Sequence, residues 1–139
     1  MEPNPLLVAS STLLAMPGFF FLMKGEMVGT VVSFACSLAS IAWHSTKPRY
    51  PLLLNIDMIL GNSTALLALH TASRALPGSI VPCGMFVVGG FGLFYYGKMR
   101  SCFVWDTDIT KATYWHMFMH LCNSILGAWL VYLTCESKG

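Results

Sequence analysis

The chain has 139 residues, of which 55% are hydrophobic, 13% aromatic and only 10% charged, with a formal net charge of +2. Its mean hydropathy of +0.64 makes lipid the expected solvent for one domain of this length. The small, scattered positive charge argues against nucleic-acid partners.

A bilayer core is crossed by about 20 mostly apolar helical residues, and five segments approach or meet that length. Met1-Glu2-Pro3-Asn4-Pro5 supplies no basic leader, so the first segment, about 6–23, reads as a retained transmembrane helix rather than a cleaved signal. Pro17-Gly18 is expected to kink it, and Lys24-Gly25-Glu26 ends it. The second span covers about 27–44 and stops at Ser45-Thr46-Lys47-Pro48-Arg49. The third, about 51–72, ends before Ser73-Arg74-Ala75-Leu76-Pro77-Gly78. The fourth, about 79–97, is rich in glycine (Gly84, Gly89, Gly90, Gly92), which reads as helix packing, and closes with Lys98-Met99-Arg100. A polar loop with Trp105, Asp106 and Asp108 leads to the fifth span, about 112–134. The expected fold is an all-α integral membrane bundle, with 1–139 as a single multi-pass domain.

The five cysteines (Cys36, Cys83, Cys102, Cys122, Cys135) are odd in number and form no CxxC pair. Neither a disulfide framework nor a thiolate metal site is indicated, and most read as small apolar helix residues. Tyr95-Tyr96, Trp43, Trp105 and Trp115 fall near span ends, where an aromatic belt belongs, whereas Trp129 falls deeper, where it would pack within the bundle.

With five crossings, the N-terminus, the 45–50 loop and the 98–111 loop share one face. That face carries Lys47, Arg49, Lys98, Arg100 and Lys111, against Lys24, Arg74 and Lys138 opposite. The excess of basic residues assigns the N-terminal face to the cytoplasmic or matrix side.

Against this apolar background a few polar residues stand out: Ser40 and His44 in the second span, Asp57 in the third, His116 and His120 in the fifth. Ionisable groups inside a membrane are costly unless partnered, and so mark functional sites. His44 ends its helix at the N-terminal face, Asp57 lies about two turns in from that face, and His116 and His120 fall in the first turns of the last helix. At 1.5 Å per residue, all occupy one slab near one surface. Helical spacing adds lateral agreement: Ser33, Ser37, Ser40 and His44 form one stripe, His116, His120, Ser124 and Gly127 a second, Asp57, Gly61 and Thr64 a third. Small residues on such stripes let helices approach closely.

The i, i+4 spacing of His116 and His120 sets two imidazoles on one side of a helix. His44 would complete a three-histidine set with one open position, the arrangement of catalytic zinc. Zinc brings the pKa of a water it binds to about 7 and polarises a carbonyl. Asp57 would orient that water, act as general base or hold an imidazole; Ser40 would bond the water or stabilise an oxyanion. At this depth the bonds within reach are amide and ester linkages of lipids.

Simpler readings exist for each residue alone. HxxxH occurs by chance, His44 at a helix end would meet lipid headgroups, Asp57 would pair with Lys47 or Arg49, and Ser40 would pack helices. A single haem held by His44 with His116 or His120 is a further alternative. His70 lies near the opposite face with no second histidine at its level, which disfavours a two-haem cytochrome.

Ser40-x-x-x-His44, Asp57 in the next helix and His116-x-x-x-His120 in the last helix together resemble the CREST superfamily of membrane zinc hydrolases. That group includes the alkaline ceramidases and the adiponectin-receptor-like proteins. The resemblance implies His44, His116 and His120 as zinc ligands, with Asp57 and Ser40 as water-handling and supporting residues. Members of the family usually have seven spans. Here one span stands where they have three, which preserves the direction in which the last helix enters. The implied function is a zinc-dependent lipid amide or ester hydrolase, with membrane lipids as partners. The alternative is a silent accessory subunit of a large membrane complex, with other membrane subunits as partners, suggested by the short loops and reduced helix count.

Overall fold

The computed structural model describes residues 4–46, 50–76 and 78–136, apart from the side chains of Cys135 and Glu136. Lys47, Arg49 and Lys138, three of the charges used to assign the sides, therefore lie outside the described residues, as do Pro77 and the Met1-Glu2-Pro3 start. The elements are α1 (Pro5–Ser11), a 3₁₀ turn (Thr12–Ala15), α2 (Met16–Met23), α3 (Met27–Ser45), α4 (Pro51–Arg74), α5 (Ile80–Arg100), a second 3₁₀ turn (Phe103–Trp105) and α6 (Ile109–Glu136). The fold is all-α, with five helices long and apolar enough to cross a membrane.

The start of α1 follows from two residues. Asn4 accepts from the backbone N–H groups of Leu6 at 3.1 Å and Leu7 at 3.3 Å, and Pro5 at the first helical position gives up an N–H that would have no partner. The irregularity expected at Pro17-Gly18 falls one turn earlier, over Thr12–Ala15. Pro17 has no N–H to give Leu13, so the Met16 N–H takes the Leu13 carbonyl instead and the turn tightens to 3₁₀. Gly25, at φ +70°, then turns the chain into α3.

Helix α6 begins three residues before the expected 112. The Asp108 carboxylate accepts from the backbone of Thr110 at 2.9 Å and Lys111 at 3.3 Å, so the polar Ile109-Thr110-Lys111 stretch is already helical. His116 and His120 thus lie nearly one turn deeper along their helix than expected. From Ile109 their rise is roughly 10 and 16 Å.

Helix α3 packs against α1, α2 and α4, and α6 packs against the same three. Helix α5 packs on α4 and on the Phe103–Trp105 turn. Two contacts tie the ends: the Asn4 N–H donates to the His44 carbonyl at 3.3 Å, and Arg74 lies 3.7 Å from Glu26 at the opposite end. The chain therefore runs up and down, with the α1 start beside the α3 end. An apolar cluster of Ala72, Cys83 and Leu130, flanked by Ala68, Leu69, Val87 and Leu126, joins α4, α5 and α6 at the end remote from His44.

Several packing expectations are corrected. Trp43 is 9% exposed and faces inward, and Trp105 lies against Phe94 beneath the Lys98 ammonium; neither stands in an outward belt. Trp129, expected inside the bundle, is 45% exposed. Four of the α5 glycines do not pack: a Cβ at Gly84, Gly89, Gly90 or Gly92 would meet nothing within 4 Å, and the same is true of Gly61 on α4. By contrast, a Cβ at Gly127 would come within 2.7 Å of Pro17, so the α6 stripe does permit a close approach, to the first span. Cys36, Cys83, Cys102 and Cys122 are free thiols; the side chain of Cys135 lies outside the described residues.

Candidate metal centre

The inward stripe of α3 is buried from Ser33 through Ser37 and Ser40 to His44. The α6 stripe buries His120 and Ser124, with His116 half-buried. The two stripes meet at their histidines. One nitrogen from each of His44, His116 and His120 lies within 4.8 Å of the others. The ring centroids of His116 stand 4.8 Å from His44 and 4.7 Å from His120, and those of His44 and His120 are 6.0 Å apart. Tetrahedral zinc with bonds of 2.0–2.1 Å requires ligand nitrogens about 3.4 Å apart, so a metal would draw these rings slightly inward. Among the described residues no other group of three such side chains is gathered in this way, and His70 is exposed and remote from it.

The third imidazole bears on the haem alternative. Two axial histidines must leave the porphyrin plane between them, and His116 stands against both of the other rings. The arrangement fits a compact ion.

Asp57 and Ser40 line the same cavity as the three histidines. Ser40 is 1% exposed, and it faces the same cavity as the Asp57 carboxyl across the α3–α4 contact. Asp57 is half-buried and lines, with the three histidines, one end of this cavity of about 720 Å³. Lys47 and Arg49, the other partners considered for Asp57, lie outside the described residues. Away from this end the wall is largely apolar, with Met58, Leu67, Val87, Phe91, Leu126 and Leu130 along it. Helix α5 contributes Phe86 to Phe94 on one side, and the open space at Gly90 is part of the cavity.

The first span supplies residues that the sequence reading passed over. Ser10 Oγ lies 2.9 Å from His120 Nδ1. Its neighbour Ser11 donates to Ser40 Oγ at 2.9 Å, and its backbone carbonyl accepts from Ser37 at 2.9 Å. The Asn4 amide donates to Thr113 Oγ1 at 2.8 Å. The available signals were a serine pair inside an apolar helix, an Asn-Pro helix start, and a threonine one turn before His116. Ser124 Oγ donates to the His120 carbonyl at 2.7 Å, the usual way a serine satisfies itself within a helix.

No family model, curated protein or solved structure matches the chain. What the site can do therefore rests on its own chemistry. Three imidazoles gathered within 4.8 Å of one another, sharing a cavity with a carboxylate and with no thiolate in the group, form a donor set suited to zinc and similar borderline metals. The apolar cavity leading away from them has room for a hydrocarbon chain.

Proposed function

We propose that the protein is a multi-pass membrane hydrolase of lipid amide or ester bonds, with zinc held by His44, His116 and His120. The observation that carries this reading is the gathering of three imidazoles and a carboxylate at one end of a cavity whose remaining wall is mostly apolar. An amphiphile laid along it would present its polar linkage to the histidines and its chain to Leu67, Leu126 and Leu130. The resemblance to the ceramidase-containing CREST superfamily supports the same reading through the order Ser40, His44, Asp57, His116, His120.

When bound, zinc supplies Lewis acidity, lowering the pKa of water and polarising a carbonyl. The chain's own residues do the rest. Asp57 receives the proton of the attacking water as general base, a role worth about 10²–10⁴ in rate. Ser40, held by Ser11, faces Asp57 across the cavity and would steady its carboxyl or the water. The apolar wall excludes bulk water from the chain of the substrate.

The test is metal analysis of the purified full chain together with hydrolysis of a long-chain ceramide and of an acyl ester in mixed micelles. One zinc per chain and turnover abolished by His120→Ala are expected. A protein free of metal and unchanged by that substitution would end the hydrolase reading.

One observation favours a second reading, a subunit of a larger membrane assembly. None of the most apolar window of α4, and 11% of that of the fourth span, is buried within the chain. A neighbouring subunit would cover these helices. Crosslinking in native membranes tests it: adducts from α4 and α5 to other proteins support it, and monomer alone counts against it.

A further inference from the structure

Ser10 sits in the first third of the first span, 5% exposed, and His120 is 6% exposed. Neither meets bulk water, so the contact of 2.9 Å between Ser10 Oγ and His120 Nδ1 must be a hydrogen bond in one direction or the other. The hydroxyl has one proton and two acceptors in reach, the Leu7 carbonyl at 3.1 Å and the imidazole nitrogen.

The two directions have opposite consequences. If Ser10 donated to Nδ1, a neutral His120 would carry its own proton on Nε2, the nitrogen turned away from Ser10. Neither nitrogen would then offer a free lone pair to the cluster. If Ser10 donates to Leu7, its oxygen lone pairs face His120, the imidazole donates Nδ1–H, and Nε2 is left as a bare acceptor. The Leu7 carbonyl also has the Ser11 hydroxyl at 2.7 Å, so it is satisfied either way; what the second arrangement adds is a buried partner for the ring N–H and an Nε2 lone pair left for the neighbouring imidazoles.

We infer that Ser10 is a positioning residue that holds His120 in the Nδ1–H tautomer and turns its Nε2 lone pair into the His44–His116 cluster. A histidine that binds a metal through one nitrogen commonly donates the other N–H to an oxygen, which fixes both tautomer and ring orientation. Here the oxygen comes from a hydroxyl on a different helix. The neighbouring Ser11 reaches Ser40. The serine pair thus supports the metal half and the carboxylate half of the site from consecutive positions. The inference rests on the metal-centre reading for its purpose, but the tautomer itself is observable without metal.

The experiment uses the full chain in detergent with ¹⁵N-labelled histidine. In the metal-free protein, two-bond nitrogen–proton correlations should show His120 protonated at Nδ1; assignment comes from loss of that signal set in His120→Ala. In Ser10→Ala the ring should revert to the Nε2–H form that free imidazoles favour, while Ser10→Thr, which keeps the hydroxyl, retains Nδ1–H. Zinc affinity, read by competition with a chromophoric chelator, should fall about 10- to 100-fold in Ser10→Ala and stay within a few-fold in Ser10→Thr. Helical circular dichroism checks that each variant is folded. A wild-type His120 protonated at Nε2, or a folded Ser10→Ala with unchanged zinc affinity, overturns the inference. Wild-type protein that shows the Nδ1–H tautomer yet binds no zinc overturns the metal reading while upholding the Ser10–His120 bond.

Discussion

The Asn4 side-chain amide donates to Thr113 Oγ1 at 2.8 Å across a separation of 109 residues. The same asparagine caps α1 through its oxygen and donates its backbone N–H to the His44 carbonyl. One residue thus joins the start of α1 to the end of α3 and the first turns of α6, the two helices that bear the three histidines. Asn4→Ala removes a helix cap, about 1 kcal/mol, and a net side-chain hydrogen bond of about 1 kcal/mol. A loss of roughly 2 kcal/mol is expected, seen as a lower thermal midpoint in detergent. Asn4→Asp keeps the cap oxygen but loses the donor to Thr113, so it should recover about half. Equal midpoints for all three proteins would show that the tie carries no stability.

On the proposed reading metal binding should stabilise the fold, because His44 comes from α3 and His116 and His120 from α6, and they are united only in the native state. At a free zinc concentration of 100 times the dissociation constant, the gain is about 2.7 kcal/mol. Thermal melts with and without zinc check this. The shift should vanish in His44→Ala, His116→Ala and His120→Ala, and persist in His70→Ala, whose exposed imidazole stands apart from the cluster.

Asp57 and the histidines should separate in their effects. Asp57→Asn keeps the side chain's shape but removes the proposed base, so hydrolysis should fall about 10²- to 10⁴-fold while zinc content stays at one per chain. Loss of zinc in this variant would instead place Asp57 among the ligands.

The sequence exposed the parts of this site that break an apolar pattern on one helix. The i, i+4 pair His116/His120 and the Ser33-to-His44 stripe could be read because helical periodicity alone puts their members on one face. The five helices were legible for the same reason, and their ends differ from expectation by no more than three residues. Ser10, Ser11 and Asn4 were not identified, because a serine in a helix can satisfy itself on a preceding carbonyl. Ser11 Oγ has the Leu7 carbonyl at 2.7 Å as a local alternative acceptor for its one proton, so nothing local announces its contact with Ser40. Which neighbour a helix face meets is a tertiary fact. For the same reason Gly84, Gly89, Gly90 and Gly92 read as packing residues, whereas they border open space.

That last difference yields a paired prediction about two glycines. At Gly127 a Cβ would meet the Pro17 ring at 2.7 Å, where α6 and the first span touch. Gly127→Leu must push that contact apart, and overpacking of this kind costs about 1–3 kcal/mol. Because the first span also carries Ser10, the same variant should weaken zinc binding along with stability. At Gly90 a Cβ meets nothing within 4 Å, and the position lines the cavity. Gly90→Leu should therefore leave stability unchanged or raise it by up to about 1 kcal/mol, since leucine is the better helix former. Its side chain would occupy space that a lipid chain needs. The expected outcome is a folded protein with full zinc content and poor turnover of long-chain substrates, with short-chain esters less affected. Melting curves, metal content and a chain-length series measure these three responses independently. If Gly90→Leu turned over long and short chains as the wild type does, the apolar cavity would not be where the substrate chain lies.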